Sequence, residues 1–167
     1  AYTVTVTDAS VAASALITLD AKTTVDINVT AVITITGTAA DINTVYAATG
    51  SINGLGNEAI TVTDASITVA QANVISALTT GVITATISNG DMATLAGLSE
   101  TGNAYTVTVT DASVAASALI TLDSKTTVSV IANAVNTITG TAADISSAYA
   151  ANTAGTITGL GNEAITI

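Results

Sequence analysis

The sequence predicts an α/β repeat solenoid of right-handed parallel coils, each about 26 residues long and each running strand, short helix, strand. Three observations predict it: a long internal duplication, a shorter period nested inside it, and hydrophobic spacing that switches between the strand and the helix period. An all-β parallel β-helix is the alternative that the same coil length allows.

The duplication comes first. Residues 1–20, AYTVTVTDASVAASALITLD, recur unchanged as residues 104–123, an offset of 103. The match continues through KTTV at 22–25 and 125–128, TITGTAADI at 34–42 and 137–145, and GLGNEAIT at 54–61 and 159–166. The last offset is 105, because the second copy carries two extra residues in AANTAGTITG. Residues 1–167 thus read as one continuous solenoid segment, with one long repeat of four coils at 1–103 and a partial second repeat at 104–167.

The shorter period is marked by a triplet, Thr-aliphatic-Thr or Thr-aliphatic-Ser, followed by a polar residue or Gly. It occurs as TVTD at 5–8, TITG at 34–37, TVTD at 61–64, TISN at 86–89, TVTD at 108–111 and TITG at 137–140, at intervals of 29, 27, 25, 22 and 29. Spacings of this size belong to solenoids, propellers and arrays.

Within a coil, the strand signal is strict alternation. Val25, Ile27, Val29, Ala31, Ile33 and Ile35 are apolar, with Asp26, Asn28, Thr30, Thr34 and Thr36 between them. This predicts a strand, or two strands meeting at a corner, with one buried face. Tyr105, Val107 and Val109, and Ile83, Ala85 and Ile87, repeat the pattern.

After each triplet the helical period takes over. Val11, Ala15, Leu16 and Leu19 are expected on one helix face, Ala70, Val74 and Leu78 on another, and Met92, Leu95 and Ala96 on a third. Thr38 followed by Asp41 makes a variant capping box, and Ser10 and Ser66 are candidate N-caps. Gly50, Gly81 and Gly102 fall where C-terminal caps are expected.

One such unit cannot bury its strand face and helix stripe alone, whereas stacked coils enclose a continuous thin core. Strand-helix-strand crossovers are right-handed. Two strand segments for each helix would match the strand and helix spacings and give a nearly straight rod. The absence of Pro suits long ladders. The chain opens in mid-strand without Met and neither end has a polar capping coil, which leads us to expect that the array extends in both directions.

Composition agrees with a slender core. Apolar residues make up 49% of the chain but aromatic residues only 2%, so small aliphatic side chains fill the interior. A net charge of −10, with Lys22 and Lys125 as the only cations and no His, excludes direct nucleic-acid binding, which requires cations that neutralise phosphates. It also disfavours anionic membrane surfaces. No apolar run is long enough for membrane insertion, and no export signal opens the chain. The expected partner is the chain itself, through adjacent repeats and end-to-end assembly. Cys is absent, so no disulfide or thiolate metal site can form.

Without His or Cys, catalysis would fall to carboxylates, Tyr2, Tyr46, Tyr105, Tyr149, Lys22 and Lys125. The acids recur with the coil and form no isolated constellation, so the expectation is a non-enzyme with no catalytic or cofactor-binding residue. Calcium is the sharper alternative. Asp8, Asp64 and Asp111 follow triplets, and the GLGNE segments offer Asn57, Glu58, Asn162 and Glu163 beside glycines. Neither the EF-hand loop nor the calcium nonapeptide repeat is present, and acids that begin helices at the positive end of the dipole explain the pattern more simply.

The outward threonines suggest two files, through Thr5 and Thr7, Thr34 and Thr36, Thr61 and Thr63, and Thr108 and Thr110. Such a ladder is similar to those of ice-binding proteins and could equally hold a glycan; the simpler reading is that Thr is a good exposed strand former. The GxG pairs at 54–56 and 159–161 are read as coil corners.

The phrases ITGTAADI, GLGNEAITVTDAS and VAASALITLDAKTT resemble the repeats of very large secreted or cell-surface proteins of cyanobacteria and other aquatic bacteria. The resemblance covers essentially the whole chain. It implies an extracellular stalk, sheath, filament or adhesin role and carries no catalytic residue across.

Overall fold

The computed structural model describes residues 3–167; Tyr2, one of the tyrosines named above, lies outside them. The fold is α/β with parallel strand pairing, and its helices set the all-β alternative aside. The contacts divide the chain into two compact units. One holds the residues up to Ala65 together with Val74–Ala85, and the other holds Ser66–Asn73 with Thr86–Ile167.

In the first unit, β1 (Val4–Thr5), β3 (Ile27–Asn28) and β5 (Ile52–Asn53) form one parallel sheet. A second parallel run takes β2 (Ser10–Ala12), β4 (Thr34–Gly37), β6 (Ala59–Val62) and β7 (Ile83–Thr86) in that order. The helices α1 (Ala13–Asp20) and α2 (Ala39–Ala47) pack on each other. The helix α3 (Val69–Ser76) is divided, with its residues up to Asn73 in the second unit and Val74–Ser76 in the first. Register places Val11, Ile35, Ile60 and Ile83 in one inward file, in which the three isoleucines are buried. Each buried isoleucine contributes about 2 kcal/mol of transfer free energy.

The second unit repeats the plan. It contains α4 (Met92–Leu95), β8 (Ala104–Thr106), β9 (Ser113–Ala115), α5 (Ala116–Asp123), β10 (Val130–Ile131), β11 (Thr137–Thr139), α6 (Ala142–Ala154), β12 (Ile157–Thr158) and β13 (Ala164–Thr166). Strands β9, β11 and β13 pair in parallel, as do β10 and β12, and α5 packs on α4 and α6. In both units the paired strands are 23 to 27 residues apart in the sequence.

The run from Val25 to Ile35 is two strands and a corner. Val32 N–H donates to the Val29 carbonyl at 2.9 Å, and this turn points Val32 inward and Ile33 outward at 66% exposure. Ala31 and Ile33 therefore leave the buried face to which alternation assigned them; strict alternation holds only while the backbone stays extended. At Ile83, Ala85 and Ile87, and at Tyr105, Val107 and Val109, the expected side chains are buried.

The two strand segments that precede a helix enter different sheets, as β3 and β4 do. Two strands of one sheet would have to match each helix for the strand and helix spacings to agree, and these strands do not share a sheet.

Helix faces also differ from the expected ones. In α1, Ala13 and Leu16 are buried, Ala15 is exposed, and Val11 belongs to β2. In α3 the core stripe is Val69, Ala72 and Ile75, leaving Ala70 and Val74 in solvent. The helix begins one residue after Thr68, which forms the capping box with Gln71: Gln71 N–H donates to Thr68 Oγ1 at 3.2 Å, and Thr68 N–H donates to Gln71 Oε1 at 2.9 Å. Ser66 is not the cap, and Ser10 lies in β2. In α4 only Leu95 is fully buried. Thr38 does cap α2, accepting from Asp41 N–H at 3.1 Å. The left-handed glycine C-cap is Gly155 on α6, with φ 83°. Gly50, Gly81 and Gly102 are not helix caps; the C-cap of α2 is Ala48.

A second kind of cap runs between coils. Asp64 Oδ2 accepts from the amide of Ala39, the first residue of α2, at 2.7 Å. Asn89 Oδ1 accepts from Val69, the first residue of α3, at 2.9 Å. Asp111 Oδ2 accepts from Met92, the first residue of α4, at 2.6 Å. The residue after each of these triplets thus caps a helix 19 to 25 residues earlier in the chain and meets an otherwise orphaned amide. Gly37 takes the corresponding place over α1, where a Cβ would come within 2.9 Å of the Ala13 Cβ. Asp64→Ala is expected to cost about 1 kcal/mol, and Asp64→Asn much less, measured as the shift of the urea midpoint.

Candidate functional site

The acids put forward as calcium ligands are not brought together. Asp64 and Asp111 sit on helix amides, Asp8 and Asn57 are exposed, and Glu58 is turned inside. In the second copy Asn162 is exposed and Glu163 half-buried. Among the described residues, no group of three or more His, Cys, Asp or Glu side chains gathers in a way that could hold a metal ion.

Register also separates the threonines. Thr5 pairs with Asn28 and not with Thr34, because the first triplet belongs to the β1 sheet while the second belongs to the β4 run. Thr34 pairs with Ser10 and Ala59, whereas Thr36 pairs with Ala12 and Thr61, and Thr61 continues to Thr84. Thr63 N–H donates to the Gly37 carbonyl, and Thr108 is bridged to Ile131. Thr7 and Thr110 are exposed. The two expected files are therefore replaced by one shorter file, Thr36–Thr61–Thr84. Equivalent triplets need not be equivalent strands: at 10–12 and 113–115 the sequence SVA takes the place beside TIT.

Glu58 of the first GLGNE segment is a buried hydrogen-bonding centre and not an outward ligand. Glu58 is 0% exposed. Its Oε2 accepts from Tyr46 OH at 2.7 Å and from Gly56 N–H at 2.8 Å, while Oε1 has no hydrogen-bond partner. Thr79 Oγ1 donates to the Glu58 carbonyl at 2.7 Å, and Gly81 lies against the same carbonyl. Burial, then the bond to the Glu58 carboxylate and its charge, push the Tyr46 phenol well above its ordinary range.

The second copy rebuilds the pair in a more open setting. Tyr149 OH donates to Glu163 Oε2 at 2.6 Å, and Gly161 N–H donates to both carboxylate oxygens. The Glu163 bond, more than burial, pushes Tyr149 up to about 12. Glu163 is partly desolvated, which raises its pKa, but hydrogen bonds from Tyr149 and Gly161 outweigh this and hold it below the usual carboxylate range. Tyr105, buried in the second unit and facing the charge of Glu100, is pushed up to about 12. These phenols are packing and hydrogen-bonding groups.

Lys22 is exposed, and Lys125 Nζ donates to the Ser99 carbonyl at 3.1 Å. Each unit has a surface cavity. In the first, about 350 Å³ is lined by Tyr46, Thr49, Ile52, Asn53, Gly54, Leu55, Ala77 and Leu78. In the second, about 250 Å³ is lined by Leu95, Ala96, Ala118, Thr121, Leu122 and Lys125.

Among the described residues, no helix is long and apolar enough to cross a membrane. Compared with family models, curated proteins and solved structures, the chain matches none.

Proposed function

We propose that this chain is a structural repeat module, a right-handed solenoid of stacked coils that serves as an extracellular or cell-surface scaffold of the filament, sheath or adhesin-stalk kind. The observation that carries this reading is the parallel pairing of strands 23 to 27 residues apart, together with side chains that cap the helix of the coil before. Such contacts join neighbours only, which is how a stack of coils grows without a size limit. The chemistry of the surface supports the same reading. The acids are spread along the chain, several are committed to helix ends, and the excess negative charge opposes lateral association. The extracellular setting rests on the resemblance of the repeats to those of giant secreted bacterial proteins.

Negative-stain microscopy of chains carrying one, two and three long repeats tests the proposal. Slender particles whose contour length rises in proportion to repeat number are expected; compact particles growing in all dimensions would overturn it.

A further inference from the structure

The two copies differ at one place in a way that leaves one backbone residue of the first copy without the partners its equivalent has in the second. In the second copy, α6 is 13 residues long, against 9 in α2, and its added turn carries Asn152. The Asn152 carboxamide clasps one backbone residue, accepting from Leu160 N–H at 3.1 Å and donating through Nδ2 to the Leu160 carbonyl at 3.3 Å. Leu55 is the equivalent of Leu160 in the first copy. There α2 ends at Ala47, and Thr49 stands in sequence where Asn152 stands. The Leu55 N–H and C=O make no hydrogen bond to the described residues, and Leu55 lines the 350 Å³ cavity.

We propose that this cavity is a binding site for a primary carboxamide carried on a small apolar body, held by the backbone N–H and C=O of Leu55. Backbone amides and carbonyls are obligatory hydrogen-bonding groups, and the second copy displays the group that satisfies this pair. A primary carboxamide presents a donor and an acceptor side by side on one edge, so it can meet both groups of a single residue. A trans secondary amide points them in opposite directions and cannot. The remaining walls suit the apolar body: Ile52, Ala77 and Leu78 offer aliphatic surface, and Tyr46 a ring whose hydroxyl is already committed to Glu58. The cavity is large enough to admit a ligand of the size of benzamide.

The test is a titration of the full chain, labelled with ¹⁵N, followed through its backbone amide signals. Benzamide is expected to give saturable shifts at Leu55 and Gly56, and N,N-dimethylbenzamide, which lacks the donor, none. Replacing residues 47–51 by the second copy's AANTAGT supplies an internal carboxamide and is expected to weaken benzamide binding at least tenfold while signals of the second unit stay in place. Blocked tetrapeptides carrying Gln or Glu distinguish the source. A response to the Gln peptide alone identifies a protein side chain as ligand, and a response to benzamide but neither peptide identifies a free amide. Absence of saturable shifts at Leu55 with every carboxamide, or equal shifts with the dimethylated amide, would overturn the proposal.

Discussion

Gly81→Ala is expected to destabilise the chain by about 3 kcal/mol, at the upper end of the range for overpacking substitutions. A Cβ at this position would collide with the carbonyl carbon and oxygen of Glu58 and the amide nitrogen of Ala59. These are backbone atoms, so no rotamer change relieves the contact; the segment 79–81 must lift away from the GLGNE loop beneath it. Lifting breaks the bond from Thr79 Oγ1 to the Glu58 carbonyl and that from Thr80 N–H to the Gly56 carbonyl. The measurement is the urea midpoint at constant slope. The contrast is Gly50→Ala, where an added Cβ meets nothing within 4 Å and stability should barely change.

Tyr46→Phe is expected to cost about 2 kcal/mol, because it strips a donor from a carboxylate that water cannot reach. Glu58 would keep the Gly56 amide on Oε2 and nothing on Oε1. Tyr149→Phe makes the same chemical change at the half-buried Glu163, where solvent replaces the lost hydroxyl, and should cost under about 0.5 kcal/mol. Equal effects in the two variants would refute the claim that burial, and not the hydrogen bond itself, sets the strength of the pair. The comparison is clean because the chain supplies both environments for one motif.

Much of the local structure is legible in the sequence. The duplication fixed which segments share a structure, the alternation at 83–87 and 105–109 placed buried strand residues, and Thr38 with Asp41 marked the start of α2. Legibility failed where the chain turns. The corner at Val29–Val32 changes which side chains face inward without changing the polarity pattern, so Ile33 read as core and is exposed. The same weakness misassigned the stripe of α3: in a sequence with so many Ala and Val residues, several helical registers look equally apolar, and only the cap at Thr68 selects one. The candidate carboxamide site was the least visible feature, since its polar groups belong to the backbone; the signal that could have found it was the two-residue difference between AATGS and AANTAGT.

Sequence alone determined the repeat, the α/β composition of the coil and the scarcity of catalytic groups, because each depends on residue identity and local spacing. Tertiary structure decided what the repeated residues do. Asp64 and Asp111 look like local helix starters, yet they, like Asn89, each cap a helix 19 to 25 residues earlier in the chain. Thr5 and Thr34 occupy matching triplets but lie in different sheets. Glu58 and Glu163 share one motif, and only what covers them makes one buried and the other half-buried. The physical reason is common to all three: register, burial and capping are set by segments distant in the sequence, and that information is absent from any one repeat read alone.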